Sequence, residues 1–233
     1  MFNRVKYSSL NELIYDEIKS KILTNELKPN EKLDIDYLST SLGVSRTPVT
    51  NALKSLQKDG YVVINPRSGS YVRELTKEEL EYIFDFREVL EAQVIRKAIT
   101  KLDKKKLKEF GEKFRLILSV SSVEGEEQVL DVVEKFFEIE INFHEHLIDA
   151  CPSIIGAEIM NLVDLTKRIR KLHIIYKLHK AGWECFKEEI EIHVRLIETL
   201  INEELEESIR WISTDIHHTK EEIMDCFEII NQW

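Results

Sequence analysis

Apolar residues return at Leu10, Leu13, Ile14, Ile18 and Ile22 in the first stretch of the chain. Three-and-four spacing of this kind predicts a helix with one buried face. Ser8 or Ser9 is placed to cap it, and Glu12 falls in its first turn, where a negative charge meets the positive end of the helix. The polar run NELKPNEK, 25–32, contains Pro29 and predicts a loop. A second helix is expected from about Asp34 to Leu42, capped by Asp34, with Ile35, Leu38 and Leu42 turned inward. Gly43 stops it as a left-handed glycine does. Ser45 then caps a third helix with Pro48 early in its first turn, where a missing N–H costs nothing. Val49, Ala52, Leu53 and Leu56 form its apolar stripe, and Gly60 ends it. Tyr61–Ile64 and Tyr71-Val72 have strand composition, with the turn-forming Pro66-Arg67-Ser68-Gly69-Ser70 between them.

Two short helices joined through Gly43-Val44, followed by a two-stranded hairpin, make a winged helix-turn-helix. After Leu75 the texture changes to long helical periodicity. Helices are expected at about 77–100, 103–120, 126–150, 153–180, 184–202 and 204–231, and Thr76-Lys-Glu-Glu79 has the form of a capping box at the start of the first. The breaks between them are short, which implies mostly antiparallel neighbours. The expected fold is therefore mainly α. A winged helix-turn-helix occupies residues 1–75, and an all-α antiparallel helical bundle occupies 76–233.

Composition sharpens this picture in three places. Of the four prolines only Pro152 lies beyond residue 70, so little interrupts the later helices. The net charge of −10 argues against a nucleic-acid binder until it is divided. Residues 1–75 hold 11 Lys and Arg against 9 Asp and Glu, a balance of +2; residues 76–233 hold 22 against 34, a balance of −12. The first part is thus free to approach phosphates. Cys151, Cys185 and Cys226 are scattered, with no CxxC pair, and read as reduced thiols of a cytoplasmic protein. Neither a leader-like apolar run at the N-terminus nor a stretch long enough to span a bilayer is visible, so no membrane partner is expected.

The N-terminal end of the third helix is the part expected in the major groove. It carries Ser45, Arg46, Thr47, Thr50 and Asn51. Arg46 can pair bidentately with guanine, Ser45 and Thr47 can hold phosphate at the helix N-terminus, and Asn51 can read adenine. In the wing, Gly69 lets the backbone approach the minor groove beside Arg67. In the second part, Glu140 and His144 lie four apart and share a helix face. His193 lies on another helix, and Asp215, His217 and His218 on the last. Carboxylates and imidazoles converging from several helices suit a divalent metal, although each histidine taken singly is equally a surface or core residue. No nucleophile, nucleotide or cofactor motif favours an enzyme; an all-helical metalloenzyme using Glu140, His144 and His193 is the remote alternative.

The stretch Leu38–Gly60, LSTSLGVSRTPVTNALKSLQKDG, resembles the GntR family of bacterial regulators, most closely in LGVSRTPV. That resemblance implies a homodimer that binds double-stranded operator DNA, most commonly as a repressor, under the control of a small molecule. Two positions depart from it: Thr50 and Asp36 stand where members commonly carry arginine. Phe84-Asp-Phe-Arg87-Glu-Val-Leu-Glu91 resembles the opening helix of the FadR-type effector domain. Glu140-x-x-Phe143-His144 and His193-Val-Arg-Leu-Ile-Glu-Thr-Leu resemble two further elements of it. The resemblance implies a divalent metal (Zn, Mn, Fe or Ni) held by Glu140, His144, His193 and Asp215, with His218 as a substitute for Asp215. It also implies a small organic acid in the same pocket, for which Arg87 and Arg195 are candidate partners; a surface or interhelical salt bridge is the other reading of each and the preferred one for Arg195. A regulator whose effector is the metal ion itself is the alternative. The basic run Lys167–Lys171 either lines the effector pocket on one face or, the preferred reading, is a solvated helix face.

Overall fold

A computed structural model describes residues 10–123 and 125–231. The chain divides into two compact units, 1–76 and 77–233.

The first unit opens with α1 (Leu10–Leu23), which buries Ile14, Ile18 and Ile22. The expected caps Ser8 and Ser9 lie outside the described residues. β1 (Lys32–Leu33) precedes α2 (Ile35–Ser41), and α3 (Arg46–Lys58) follows. The Asp34 carboxylate accepts hydrogen bonds from the amides of Asp36 and Tyr37, capping α2 as its position predicts. Ser45 holds the N-cap position of α3, but its hydroxyl makes no cap bond. Gly43 has φ +67°, the left-handed geometry that only glycine adopts cheaply. Ile35, Leu38 and Leu42 are half-buried, and Ser39 is the buried member of α2. A seven-residue helix has one full contact position, and here it is taken by a small side chain that lets α2 lie close to α3.

Val49, Ala52, Leu53 and Leu56 of α3 are buried against α1 and the sheet. Each large apolar side chain so buried contributes about 1.5–3 kcal/mol. β2 (Val62–Asn65) and β3 (Gly69–Val72) form the wing hairpin. The sheet has a third strand that the polar run hid: β1 pairs antiparallel with β3, Lys32 opposite Tyr71 and Leu33 opposite Ser70. Bonds from Asn30 N–H to the Val72 carbonyl and from Val72 N–H to the Glu31 carbonyl extend the pairing.

The second unit is helical throughout its described residues. α4 (Lys77–Ala98) runs into a 3-10 turn at Ile99–Lys101; α5 (Lys104–Leu118), α6 (Glu126–Ile148), α7 (Ser153–Ala181), α8 (Trp183–Asn202) and α9 (Leu205–Ile230) follow. α4 packs on α9, α5 on α8, α8 on α9 and α6 on α7. The links at Gly182 and Glu203-Glu204 are so short that successive helices must double back. Gly182 (φ +80°) and Glu203 (φ 60°) take the left-handed geometry these reversals need. Phe84, Phe114, Phe136, Phe143 and Phe186 form the aromatic centre of the core.

Candidate functional site

In the first unit the helix-turn-helix presents the N-terminal end of α3 to solvent. Ser45, Arg46, Thr47 and Asn51 are exposed, whereas Thr50 is half-buried and its hydroxyl donates to the Arg46 carbonyl, 2.9 Å away. Thr50 therefore spends its donor on its own helix. Arg46 is held by Asp36 from α2: its Nε lies 2.6 Å from Oδ1 and its Nη2 2.8 Å from Oδ2. In the wing, Arg67 is exposed at the hairpin tip and Gly69 has φ +109°.

In the second unit the structure brings Glu140 and His144 of α6, His193 of α8 and Asp215 of α9 into one buried cluster. The four-residue spacing of Glu140 and His144 puts both on one side of α6. His144 Nδ1 lies 2.6 Å from Glu91 Oε2, and His193 Nδ1 lies 2.9 Å from the Glu189 carbonyl. Those bonds fix each ring with Nε2 turned inward, as outer partners do for metal-ligating histidines. Neither Nε2, nor Glu140 Oε2, has a hydrogen-bond partner among the described residues. The Nε2–carboxylate separations within the cluster are 3.4–3.7 Å. These are too long for hydrogen bonds; Glu140, His144 and His193 each offer a ligand atom close enough to the others to share one ion, with Asp215 facing the two imidazoles from α9. Orphaned buried atoms are costly, so the donor set fits a divalent cation.

Electrostatics agree. Burial pushes the Asp215 carboxyl up, Glu140 adds to the rise, and the two imidazoles only partly oppose it. Burial would also raise Glu91, but the Arg87 charge and His144 hold it down at about 2. For His144, burial disfavours the charged ring, yet Glu91, Glu140 and Asp215 outweigh it and the pKa is raised. Glu91, Glu140 and Asp215 thus stand with the two guanidiniums of Arg87 and Arg170 around the His144 ring.

Three residues fall elsewhere than the sequence suggests. Arg195 is exposed, with its guanidinium 5.4 Å from the Trp211 ring, and does not line the cavity. His218 Nε2 faces Glu189 and Glu222 at 3.7 and 3.5 Å rather than joining His144 and His193. Arg170, in the run expected to be solvated, is 5% exposed and its Nη1 donates to Glu140 Oε1. On α7 Arg170 and Lys177 both turn inward, while Lys167, Arg168 and Lys171 are half-buried. Arg87 lines the cavity, but its Nε is bound to Glu91 Oε1 at 2.9 Å and its Nη1 reaches Thr166 at 3.3 Å. The free space at the centre of the cavity is about 10 Å³, room for one ion or water molecule. Beside it, Glu189, His218 and Glu222 form a second cluster, already bridged by the Lys177 ammonium at 3.2 Å from Glu189 and 2.7 Å from Glu222. Sequence reasoning missed Glu91 and Glu189, and preferred the solvated face over the pocket-lining alternative for Arg170. Only Glu91 carried a signal, its place four residues after Arg87 in the α4 motif.

Residues 10–72 match the family model of bacterial regulatory proteins, gntR family, and residues 82–218 match the FCD domain. The chain is 30% identical over 137 residues to an uncharacterized HTH-type transcriptional regulator, YdhC, of Bacillus subtilis (strain 168), a match spanning 58% of each chain. It is 23% identical over 223 residues to the HTH-type transcriptional repressor RspR of Escherichia coli (strain K12), covering 88% of this chain and 95% of that one. Among solved structures it is similar to E. coli McbR/YncC, with TM-score 0.70 and 20% identity over 97% of this chain and 99% of the other, which establishes likeness of fold.

Proposed function

Because this chain belongs to the GntR family of bacterial regulatory proteins and carries an FCD domain, it is a transcriptional regulator and not an enzyme, and we propose that it is a cation-dependent repressor. In this reading it acts in the cytoplasm as a homodimer. The N-terminal end of α3 reads operator half-sites through Arg46, with Ser45, Thr47, Thr50 and Asn51 around it and Arg67 and Gly69 in the wing. Exposed Tyr82, Phe86 and Val89 along α4 offer an apolar face for a second copy.

The observation that carries the effector half is the pair of unpartnered Nε2 atoms of His144 and His193 facing Asp215. Glu140, His144, His193 and Asp215 are the residues that would hold the ion. A bound dication would supply the positive charge that the carboxylate-rich cavity lacks, and would offer a Lewis-acidic contact to an organic acid. A small carboxylate metabolite as effector requires Arg87 and Arg170 to leave their present partners. The ion alone as effector is the second reading, favoured by a cavity whose free space for a water-sized group is about 10 Å³.

Either effector works only through unequal affinity for two states, and a coupling of about 1–3 kcal/mol suffices for a switch. The test is retention of an operator duplex by the full chain in a gel-shift assay. It is titrated with Zn²⁺ or Mn²⁺ alone, and then with small organic acids at saturating metal. A shift with metal alone selects the ion reading; a shift only with acid selects the metabolite; no shift with either rejects the effector half.

A further inference from the structure

An acidic side chain stands on the surface that meets DNA in the proposed function, and it is bound to the arginine that opens α3. Asp36 lies on α2 and Arg46 opens α3, so the two belong to different helices of the helix-turn-helix. Arg46 donates from Nε to Oδ1 at 2.6 Å and from Nη2 to Oδ2 at 2.8 Å. These are two parallel charge-assisted bonds, the fork-to-fork arrangement that fixes the plane of a guanidinium as well as its position. Both side chains are about two-thirds exposed, 68% and 67%. An exposed ion pair contributes little to folding. Its consequence lies in orientation.

We propose that Asp36 is a positioning residue that sets the base preference of Arg46. A guanidinium has five N–H donors. The carboxylate takes the side edge, Nε and the near hydrogen of Nη2. The end edge, formed by the far hydrogen of Nη2 and one hydrogen of Nη1, stays free. Guanine presents O6 and N7 as paired acceptors in the major groove, and an end edge held in one plane meets both together. Arginine on a flexible stem otherwise loses rotamer freedom when it docks, and a phosphate offers it an equally good partner. Asp36 removes both alternatives: it pre-sets the plane, and its negative charge repels the phosphate backbone. Binding without guanine then gains little, so Asp36 trades general affinity for discrimination.

This inference rests on the reading of α3 as the element in the major groove, and the experiment separates the two. Full-length protein is used to enrich bound duplexes from a randomised DNA pool. The enriched duplex and a copy with each guanine replaced in turn are then titrated against wild type, D36N, R46A and the double variant. Circular dichroism and thermal melting are expected to leave D36N unchanged from wild type. Wild type is expected to prefer one guanine by about tenfold or more, the size of a bidentate contact. D36N is expected to lose most of that preference while binding the replaced duplexes more tightly than wild type does. In the double variant, D36N is expected to change guanine preference no further, because Asp36 acts through Arg46. A D36N protein that keeps the wild-type preference, with R46A losing it, overturns the role of Asp36 alone. An R46A protein that keeps the preference, or a wild type that enriches no sequence, overturns the DNA-reading assignment and this inference with it.

Discussion

Glu91 is fastened from two sides, by Arg87 Nε at 2.9 Å and by His144 Nδ1 at 2.6 Å, in a place where its own exposure is 2%. Removing its charge leaves a buried guanidinium without its partner, so Glu91→Gln is expected to cost about 3 kcal/mol or more, read from urea midpoints. Its pKa near 2 lies below the ordinary carboxylate value of 4.5. Stability from this group is therefore complete above about pH 4.5 and lost as pH falls toward 2. The glutamine variant should show a flatter decline over that range. The raised pKa of His144 has the opposite sense for a cation, which must displace a proton there. Metal retained on dialysis should be greater at pH 8 than at pH 6, and His193→Ala should abolish it at both. Glu140, His144 and His193 were legible because spacing and resemblance mark them. Arg170 and Glu189 were not, since one-dimensional spacing cannot say which residue of α7 faces α6 or which carbonyl of α8 orients His193.

Elements were legible where the backbone is punctuated. Gly43, Pro152 and Gly182 mark the ends that the structure shows for α2, α7 and α8. Gly43 has φ +67° and open space where a Cβ would stand, so Gly43→Ala meets backbone strain and no clash. A loss of about 1–2 kcal/mol is expected from denaturant unfolding of the first unit. β1 stayed hidden because two residues carry no alternation, and its pairing to β3 is made by backbone groups that any sequence supplies. The inward members of α2 were misjudged for a related reason. A helix of seven residues is placed by its caps and neighbours more than by its own apolar stripe, and its buried position went to Ser39. The basic run in α7 looked like a solvated face because charge reads as exposure until a buried carboxylate opposite is known.

At the scale of the molecule, charge is partitioned with the fold. A first part near +2 gains little from non-specific attraction to DNA, so affinity for a scrambled duplex should be at or below the weak end of the usual range, about 10⁻⁴ M at physiological salt, by fluorescence anisotropy. The second unit places Glu140, His144, His193 and Asp215 on α6, α8 and α9, so a cation bound as proposed would tie together segments far apart in sequence. The pairing of Arg170 with Glu140 also bears on that tie, because it occupies Oε1 and leaves Oε2 without a partner. A dication held in the proposed way would meet one carboxylate oxygen already neutralised by the guanidinium and one still free, so Glu140 could serve it without first losing the arginine. The observed association rate should then keep rising with cation concentration, with no plateau set by the release of Arg170.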